Sequence, residues 1–185
     1  GGSDPYAMAD REELLRRLVT ALSVPGVDGL LATADLVDDL ALLGALEDKV
    51  IVGSLNRGGL RGASFEMDDR FGAYTVAAAI DAGLDAVKTL TRINFSDPGT
   101  AGTLENTAHS VTRAAAAQMP ILIEPFISEW IDGDVRNDLS AEAVIRSMAI
   151  AAGLGSSSAY TWLKIPYVQQ MERVMAATTL PTVIL

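Results

Sequence analysis

The stretch AYTWLKIP, residues 159–166, points to the fold because it has the composition of a buried β-strand that a proline ends. Lys164 places a single charge inside this otherwise apolar run. A lysine held in a low dielectric gives up its proton more readily and can then act as an amine nucleophile. The alternatives are a strand-end lysine that reaches solvent, or one half of a buried ion pair.

Strand-like and helical segments alternate along the chain, a pattern typical of a parallel sheet covered by helices. The predicted strands cover residues 29–33, 49–56, 85–93, 120–126, 159–166 and 181–185. The predicted helices cover residues 6–23, 36–46, 70–82, 97–118, 140–152 and 167–177. Residues 128–139 are predicted to form a long loop with a turn at Asp132-Gly133.

Two architectures fit this alternation, a (β/α)8 barrel and an open doubly wound sheet. The longest connections follow Asn56 and Phe126, at the C-terminal ends of two strands, where a barrel builds its active site. Residues 58–62, GGLRG, do not match the G-x-G-x-x-G fingerprint, which disfavours a nucleotide-dependent oxidoreductase. We therefore predict an α/β protein with a (β/α)8 TIM barrel.

Length restricts how much of such a barrel the chain can hold. Barrels usually need about 250 residues, whereas this chain has 185. We expect it to cover about six of the eight strands, the second to the seventh. The first strand is then expected before Gly1 and the last after Leu185.

Composition excludes several functions. The net charge of -10 argues against binding to nucleic acid or anionic membranes, because both require a basic surface. The chain has no cysteine, and therefore no disulfide framework, zinc–thiolate site or cysteine nucleophile. No segment has the pattern of a membrane span or a signal peptide, so we expect a cytoplasmic location.

Three charged residues on successive predicted strands form the candidate catalytic site: Lys88, Glu124 and Lys164. In a barrel these side chains can converge. One lysine can attack a carbonyl, the second cation favours its deprotonation, and the glutamate can transfer protons. The alternative is a buried lysine–glutamate cluster that sets strand register. Because unneeded buried charge is costly, three such residues together favour the catalytic interpretation.

Other polar residues are candidates for substrate binding. Asn56 and Arg57, with Arg61, flank a glycine-rich loop that can hold a substrate oxygen or phosphate, although a solvated loop is an equal alternative. Arg92 lies four residues after Lys88 on the same strand face, where it can bind an anion or form a surface ion pair.

Two further groups of residues have open roles. Trp130 and Arg136 lie in the predicted loop after Glu124 and are interpreted as part of a lid or a subunit contact. Glu66, Asp68 and Asp69 form an acidic run that can attract a divalent ion, but a capping and solvated role is favoured.

Several longer segments resemble a known family. Residues 84–88 (LDAVK), 121–126 (ILIEPF) and 162–166 (WLKIP) resemble class I aldolases of the DeoC/LacD superfamily. Residues 53–60 (GSLNRGGL), 65–71 (FEMDDRF) and 158–164 (SAYTWLK) are similar to a bacterial subgroup of aldolase-like proteins linked to myo-inositol catabolism.

The resemblance implies a single, partial class I aldolase-like TIM-barrel domain over residues 1–185 and a lysine Schiff base, without a metal or cofactor. On the matching positions, Lys164 would form the imine, Glu124 would transfer protons, and Lys88 would be the supporting cation that contacts substrate. The family's acidic residue at the end of the first strand, and its phosphate-binding backbone after the seventh and eighth strands, have no counterpart in this chain.

The predicted function is therefore cleavage or formation of a C–C bond in a small, phosphorylated sugar or inositol-derived keto acid, by a homo-oligomeric lyase. The alternative is a non-catalytic barrel that binds a sugar phosphate, or a subunit of a complex.

Overall fold

The computed structural model describes Tyr6, residues 8–58 and residues 62–185, and its centre is a parallel β-sheet. The parallel strands are β1 (Gly29–Ala32), β2 (Val50–Ser54), β3 (Ala86–Ile93), β4 (Ile121–Ile131), β6 (Thr161–Ile165) and β7 (Thr182–Ile184). They lie side by side in chain order, whereas a doubly wound sheet reverses its order partway. The sheet is a curled part of a TIM barrel, which confirms the predicted fold class.

Helices follow most strands: α1 (Arg11–Leu22), α2 (Ala34–Leu42), α3 (Val76–Asp81), α4 (Gly99–Ala116), α5 (Ala141–Ala152) and α6 (Met171–Met175). Helices α1 and α3 begin several residues later than predicted, and each starts directly after a residue whose side chain caps it. The Asp10 carboxylate accepts from the Glu13 amide at the start of α1, and the Thr75 hydroxyl accepts from the Ala78 amide at the start of α3. No helix in the described part of the chain is long and apolar enough to cross a membrane.

The hydrophobic core lies between the helices and the convex face of the sheet. Its strand residues alternate along the sequence, so on the central strands one face is largely apolar and covered. On three neighbouring strands the apolar side chains with no exposure are Val87, Ile121, Ile123, Leu163 and Ile165. These residues pack in one cluster with helix residues such as Val111, Met148 and Val174. This alternation directs the intervening strand residues to the concave face.

The concave face combines apolar and charged side chains. Leu31, Val50, Trp162 and Val183 are exposed, and the register of the strands places them on this face. Lys88, Glu124 and Lys164 occupy the same face on β3, β4 and β6. The fold therefore separates a helix-covered core from an open face that carries the charged residues.

The connection after Glu124 is a β-hairpin, so the predicted loop over residues 128–139 is wrong. β4 continues to Ile131 and pairs antiparallel with β5 (Asp134–Asn137). Asp132 and Gly133 both have positive φ, 52° and 82°, as a two-residue type I′ turn requires. The turn was predicted correctly, but its Asp-Gly sequence is itself a hairpin signal.

Two glycines provide a test of this turn. Gly133→Ala forces a Cβ onto a residue with φ of 82° and should lower the free energy of unfolding by about 1 kcal/mol. Gly102→Ala, inside α4 where an added Cβ meets nothing within 4 Å, should raise it by about 0.5–1 kcal/mol. Urea denaturation measures both. Equal effects of the two substitutions would contradict the turn conformation.

Candidate active site

The structure brings the three charged residues of the predicted catalytic site together. Leu90 pairs with Glu124 in the register of β3 and β4, and Lys88 lies two residues before Leu90 on the same strand face. Ile123 pairs with Leu163, which places the next residues, Glu124 and Lys164, side by side. All three side chains therefore project from neighbouring strands onto the concave face. Lys88 lies in the first half of β3, which continues to Ile93.

The Glu124 carboxylate bridges the two amines. Its Oε2 lies 2.6 Å from Lys88 Nζ, and its Oε1 accepts a hydrogen bond from Lys164 Nζ at 2.8 Å. The side chains of Lys88 and Glu124 are only 11% and 12% exposed, whereas that of Lys164 is 23% exposed. Lys164 is thus the amine of the pair that solvent, or a substrate on the concave face, reaches more easily.

Opposing effects act on the pKa of Glu124. Burial alone would raise this pKa, but the positive charges and hydrogen bonds of Lys88 and Lys164 outweigh burial and lower it. The carboxylate is therefore ionised at neutral pH. Two ammonium groups around one carboxylate give the cluster a net positive charge in a chain whose net charge is -10.

Removing this carboxylate should reduce stability. Glu124→Gln leaves two poorly solvated ammonium groups without a counter-ion, and we expect a loss of about 2–3 kcal/mol at pH 7 in the free energy of unfolding. Because the folded-state pKa is lowered, the stabilisation is complete above the ordinary glutamate pKa of about 4.3 and is lost as pH falls through the lowered value. The difference from wild type should therefore narrow in acid.

Denaturant unfolding at several pH values measures this difference. Glu142→Gln is the matched control, since Glu142 forms an ion pair with Arg173 on the surface, where both side chains are more than half exposed. It should have little effect. An effect of Glu124→Gln as small as that of the control would show that this carboxylate does not stabilise the fold. A loss that does not change with pH would show that its ionised form is not the cause.

Asn56 lies at the predicted end of β2, but its side chain is already engaged. Only 1% of the residue is exposed, and its carboxamide bonds to the backbone N–H and C=O of Leu90 and to the C=O of Asp69. A substrate would have to displace one of these bonds. Arg57, the next residue in the chain, is exposed, and its role as a substrate contact stays a prediction. Arg61 lies outside the described residues.

Arg92 forms an ion pair, but the pair is buried and not on the surface. Its guanidinium binds the Asp69 carboxylate, with Nη2 at 2.6 Å from Oδ1, and also donates to the backbone oxygen of Glu66. The side chains are 10% and 0% exposed. Burial raises the pKa of Asp69, which the hydrogen bonds and charge of Arg92 oppose. The solvated role favoured for Asp69 is therefore wrong, and Arg92 is committed to this carboxylate.

The two residues predicted to form a lid or subunit contact lie on the hairpin. Trp130 is partly exposed, and its indole N–H donates to Asp97 at 3.3 Å. Arg136 lies opposite Glu129 in the hairpin register. The Trp130–Asp97 bond holds the hairpin against the loop after β3, whereas Arg136 and Glu129 pair within the hairpin, and neither contact involves the lysine cluster.

Sequence reasoning missed Asp69 as a buried partner. The acidic run offers Asp68 and Asp69 in succession, and only the fold distinguishes them: Asp68 pairs with the exposed Arg70, while Asp69 turns inward to Arg92. The sequence did contain one signal for this difference: Asp68 and Asp69 are adjacent, and adjacent residues in an extended segment face opposite sides. Among the described residues, no three acidic, histidine or cysteine side chains cluster as metal ligands do.

The fold and the cluster define the class of protein: a partial TIM barrel that carries a lysine–glutamate–lysine site on its concave face. The chain belongs to the Cgl0159-like family, whose model matches residues 1–185. The crystal structure of Cgl0159 from Corynebacterium glutamicum is 63% identical, with a TM-score of 0.95 over 99% of this chain and 62% of that chain. The chain thus spans less than two thirds of the length of that relative.

More distant structures share the fold. An archaeal fructose 1,6-bisphosphate aldolase is 19% identical with a TM-score of 0.64, over 95% of this chain and 64% of that chain. A Schiff-base-forming fructose-1,6-bisphosphate aldolase is 22% identical with a TM-score of 0.63, over the same shares of the two chains. No curated protein sequence matches the chain significantly. The barrel of this chain is therefore the fold on which these aldolases are built.

Proposed function

We propose that the protein is a class I aldolase in which Lys164 forms a Schiff base with a small carbonyl substrate. The observation that carries the proposal is the single ionised carboxylate that holds two amines on neighbouring strands, with the more accessible amine on β6. The resemblance of the surrounding segments to the DeoC/LacD superfamily supports it. So does the shared fold with an aldolase described as Schiff-base-forming.

The geometry supports a distinct role for Lys164 and for Glu124 in the reaction. Proton transfer from Lys164 Nζ to Glu124 Oε1, along their 2.8 Å hydrogen bond, frees the amine to attack the substrate carbonyl carbon. The carbonyl oxygen takes up protons and leaves as water, which forms the iminium. When the C–C bond breaks, its electron pair forms the C=C bond of an enamine while the π pair of the iminium moves to nitrogen, and the hydroxyl group on the departing carbon loses its proton to leave an aldehyde. Protonation of the enamine carbon and hydrolysis of the imine by water release the second product and the Lys164 amine. Glu124 transfers the protons of these steps.

Lys88 keeps its positive charge in this scheme. Its Nζ lies 2.6 Å from Glu124 Oε2 and therefore stabilises the carboxylate between proton transfers. The charge of Lys88 further attracts an anionic substrate within an acidic protein.

The proposed substrate is a small carbonyl compound, either a phosphorylated sugar or a keto acid derived from inositol. The net positive charge of the cluster suits an anionic carbonyl compound, and Arg57 is an exposed cation in the loop after β2 that can contact it. The similarity of residues 53–60, 65–71 and 158–164 to inositol-linked aldolase-like proteins supports the second substrate class.

Borohydride trapping tests the proposal. The intact protein is incubated with a panel of phosphorylated sugars and keto acids, then reduced, and its mass is measured. A stable mass increase that depends on substrate is expected. The rival function, a sugar-phosphate-binding barrel without catalysis, predicts saturable binding with no adduct and no exchange of substrate protons with solvent. That result would overturn the aldolase proposal.

A further inference from the structure

Strand β3 lacks a complete strand neighbour at the point where it carries the candidate site. β2 ends at Ser54, which pairs with Lys88, and the last backbone bond between the two runs from Leu55 N–H to Lys88 C=O at 2.8 Å. In the described part of the chain, no strand pairs with Leu90 on that side. The backbone groups of β3 just beyond Lys88 need other partners, since unpaired buried groups are costly.

Two side chains provide these partners. The Asn56 carboxamide accepts from Leu90 N–H and donates to Leu90 C=O, both at 2.7 Å, and so imitates the peptide group of a neighbouring strand. Its Nδ2 also donates to the C=O of Asp69 at 3.0 Å. The carboxylate of Asp69 then accepts from Arg92 N–H at 2.8 Å. Together they extend the hydrogen-bond ladder from Lys88 to Arg92.

The geometry points to Asn56 as a positioning residue that holds Lys88 against Glu124, with Asp69 as its support. This inference rests on the proposed function. Lys88 and Glu124 project from different strands, so their 2.6 Å contact depends on how β3 lies beside β4. Leu90 is the β3 residue that pairs with Glu124, and Asn56 holds Leu90 from the other edge of β3. Its role is thus distinct from the substrate contact expected from the sequence.

Positioning and substrate binding make different kinetic predictions. If Asn56 positions Lys88, Asn56→Leu should lower kcat by about 10²-fold, as small displacements of catalytic groups do, while KM changes little. If Asn56 binds substrate equally in the ground and transition states, KM should rise with kcat unchanged. Asn56→Ser is the milder variant, should Asn56→Leu not fold.

Thr91→Val is the matched control. Thr91 is equally buried on β3, but its hydroxyl bonds to Thr107 on the helix-facing side and takes no part in the ladder. The control should lose stability and keep kcat. Amide hydrogen exchange should become faster at Leu90 in the Asn56 variants and stay close to wild type in Thr91→Val.

The outcomes are separable. A normal kcat in both Asn56 variants, a rise in KM alone, or a loss of kcat no larger than in Thr91→Val would overturn the inference. If the wild-type protein forms no imine adduct, the proposed function fails, and the crystal structure of Asn56→Ser decides the inference. A lengthened contact between Lys88 Nζ and Glu124 Oε2 supports positioning, and an unchanged contact contradicts it.

Discussion

Replacing Lys164 should abolish turnover while leaving the protein folded. We expect Lys164→Ala to lower kcat by on the order of 10⁴-fold or more, as the loss of a covalent nucleophile does in other enzymes. The physical reason is that Lys164 is the more accessible of the two amines bound to Glu124, and without it no imine forms in that position. Steady-state kinetics measures the loss, with a substrate that borohydride trapping has identified.

Lys164→Arg is the informative companion to this substitution. Arginine preserves the positive charge and can still donate to Glu124, but its guanidinium stays protonated and cannot form an imine. A variant that folds with near-normal stability but lacks turnover would separate the chemical role of Lys164 from its role in the ion-pair cluster. Substantial turnover by Lys164→Arg would contradict its assignment as nucleophile.

Breaking the Arg92–Asp69 pair should produce the largest loss of stability. Asp69 is 0% exposed, so Arg92→Leu leaves a buried carboxylate without its cation and should cost about 3–5 kcal/mol in the free energy of unfolding. Replacing both partners with leucine removes the buried charge as well, and the double variant should recover much of this loss. Denaturant unfolding of both single variants and the double variant measures the coupling.

The neighbouring pair Arg70–Asp68 is a control within the same segment. Arg70 Nε lies 2.6 Å from Asp68 Oδ2, but the Arg70 side chain is 84% exposed. Arg70→Leu should therefore change stability by less than about 1 kcal/mol. If Arg92→Leu lowered the free energy of unfolding no more than Arg70→Leu does, the buried pair would stabilise the protein no more than the exposed one, which would contradict this prediction.

The sheet was predictable because its sequence pattern is local. Each parallel strand is an apolar run bounded by turn residues, and the strand order follows from short connections between successive elements. The shared strand face of Glu124 and Lys164 also follows from alternation, once the register is known. The convergence of the three charged groups was therefore accessible from sequence in outline.

The roles of Asn56 and Arg92 were not accessible in this way. Both were candidates for substrate binding, with a solvated loop as the alternative for Asn56 and a surface ion pair as the alternative for Arg92. Their actual partners, Leu90 and Asp69, are 34 and 23 residues away in the chain. Long-range hydrogen bonds of this kind depend on how the loop after β2 folds back, and no local propensity encodes that path.

The most direct test of the account is the location of the trapped adduct. The chain contains three lysines, and Lys49, which donates to the Val27 carbonyl away from the cluster, is an internal control. After borohydride reduction in the presence of substrate, peptide mass spectrometry should place the added mass on Lys164 and leave Lys49 and Lys88 unmodified. An adduct on Lys88, or turnover without any adduct, would contradict the account.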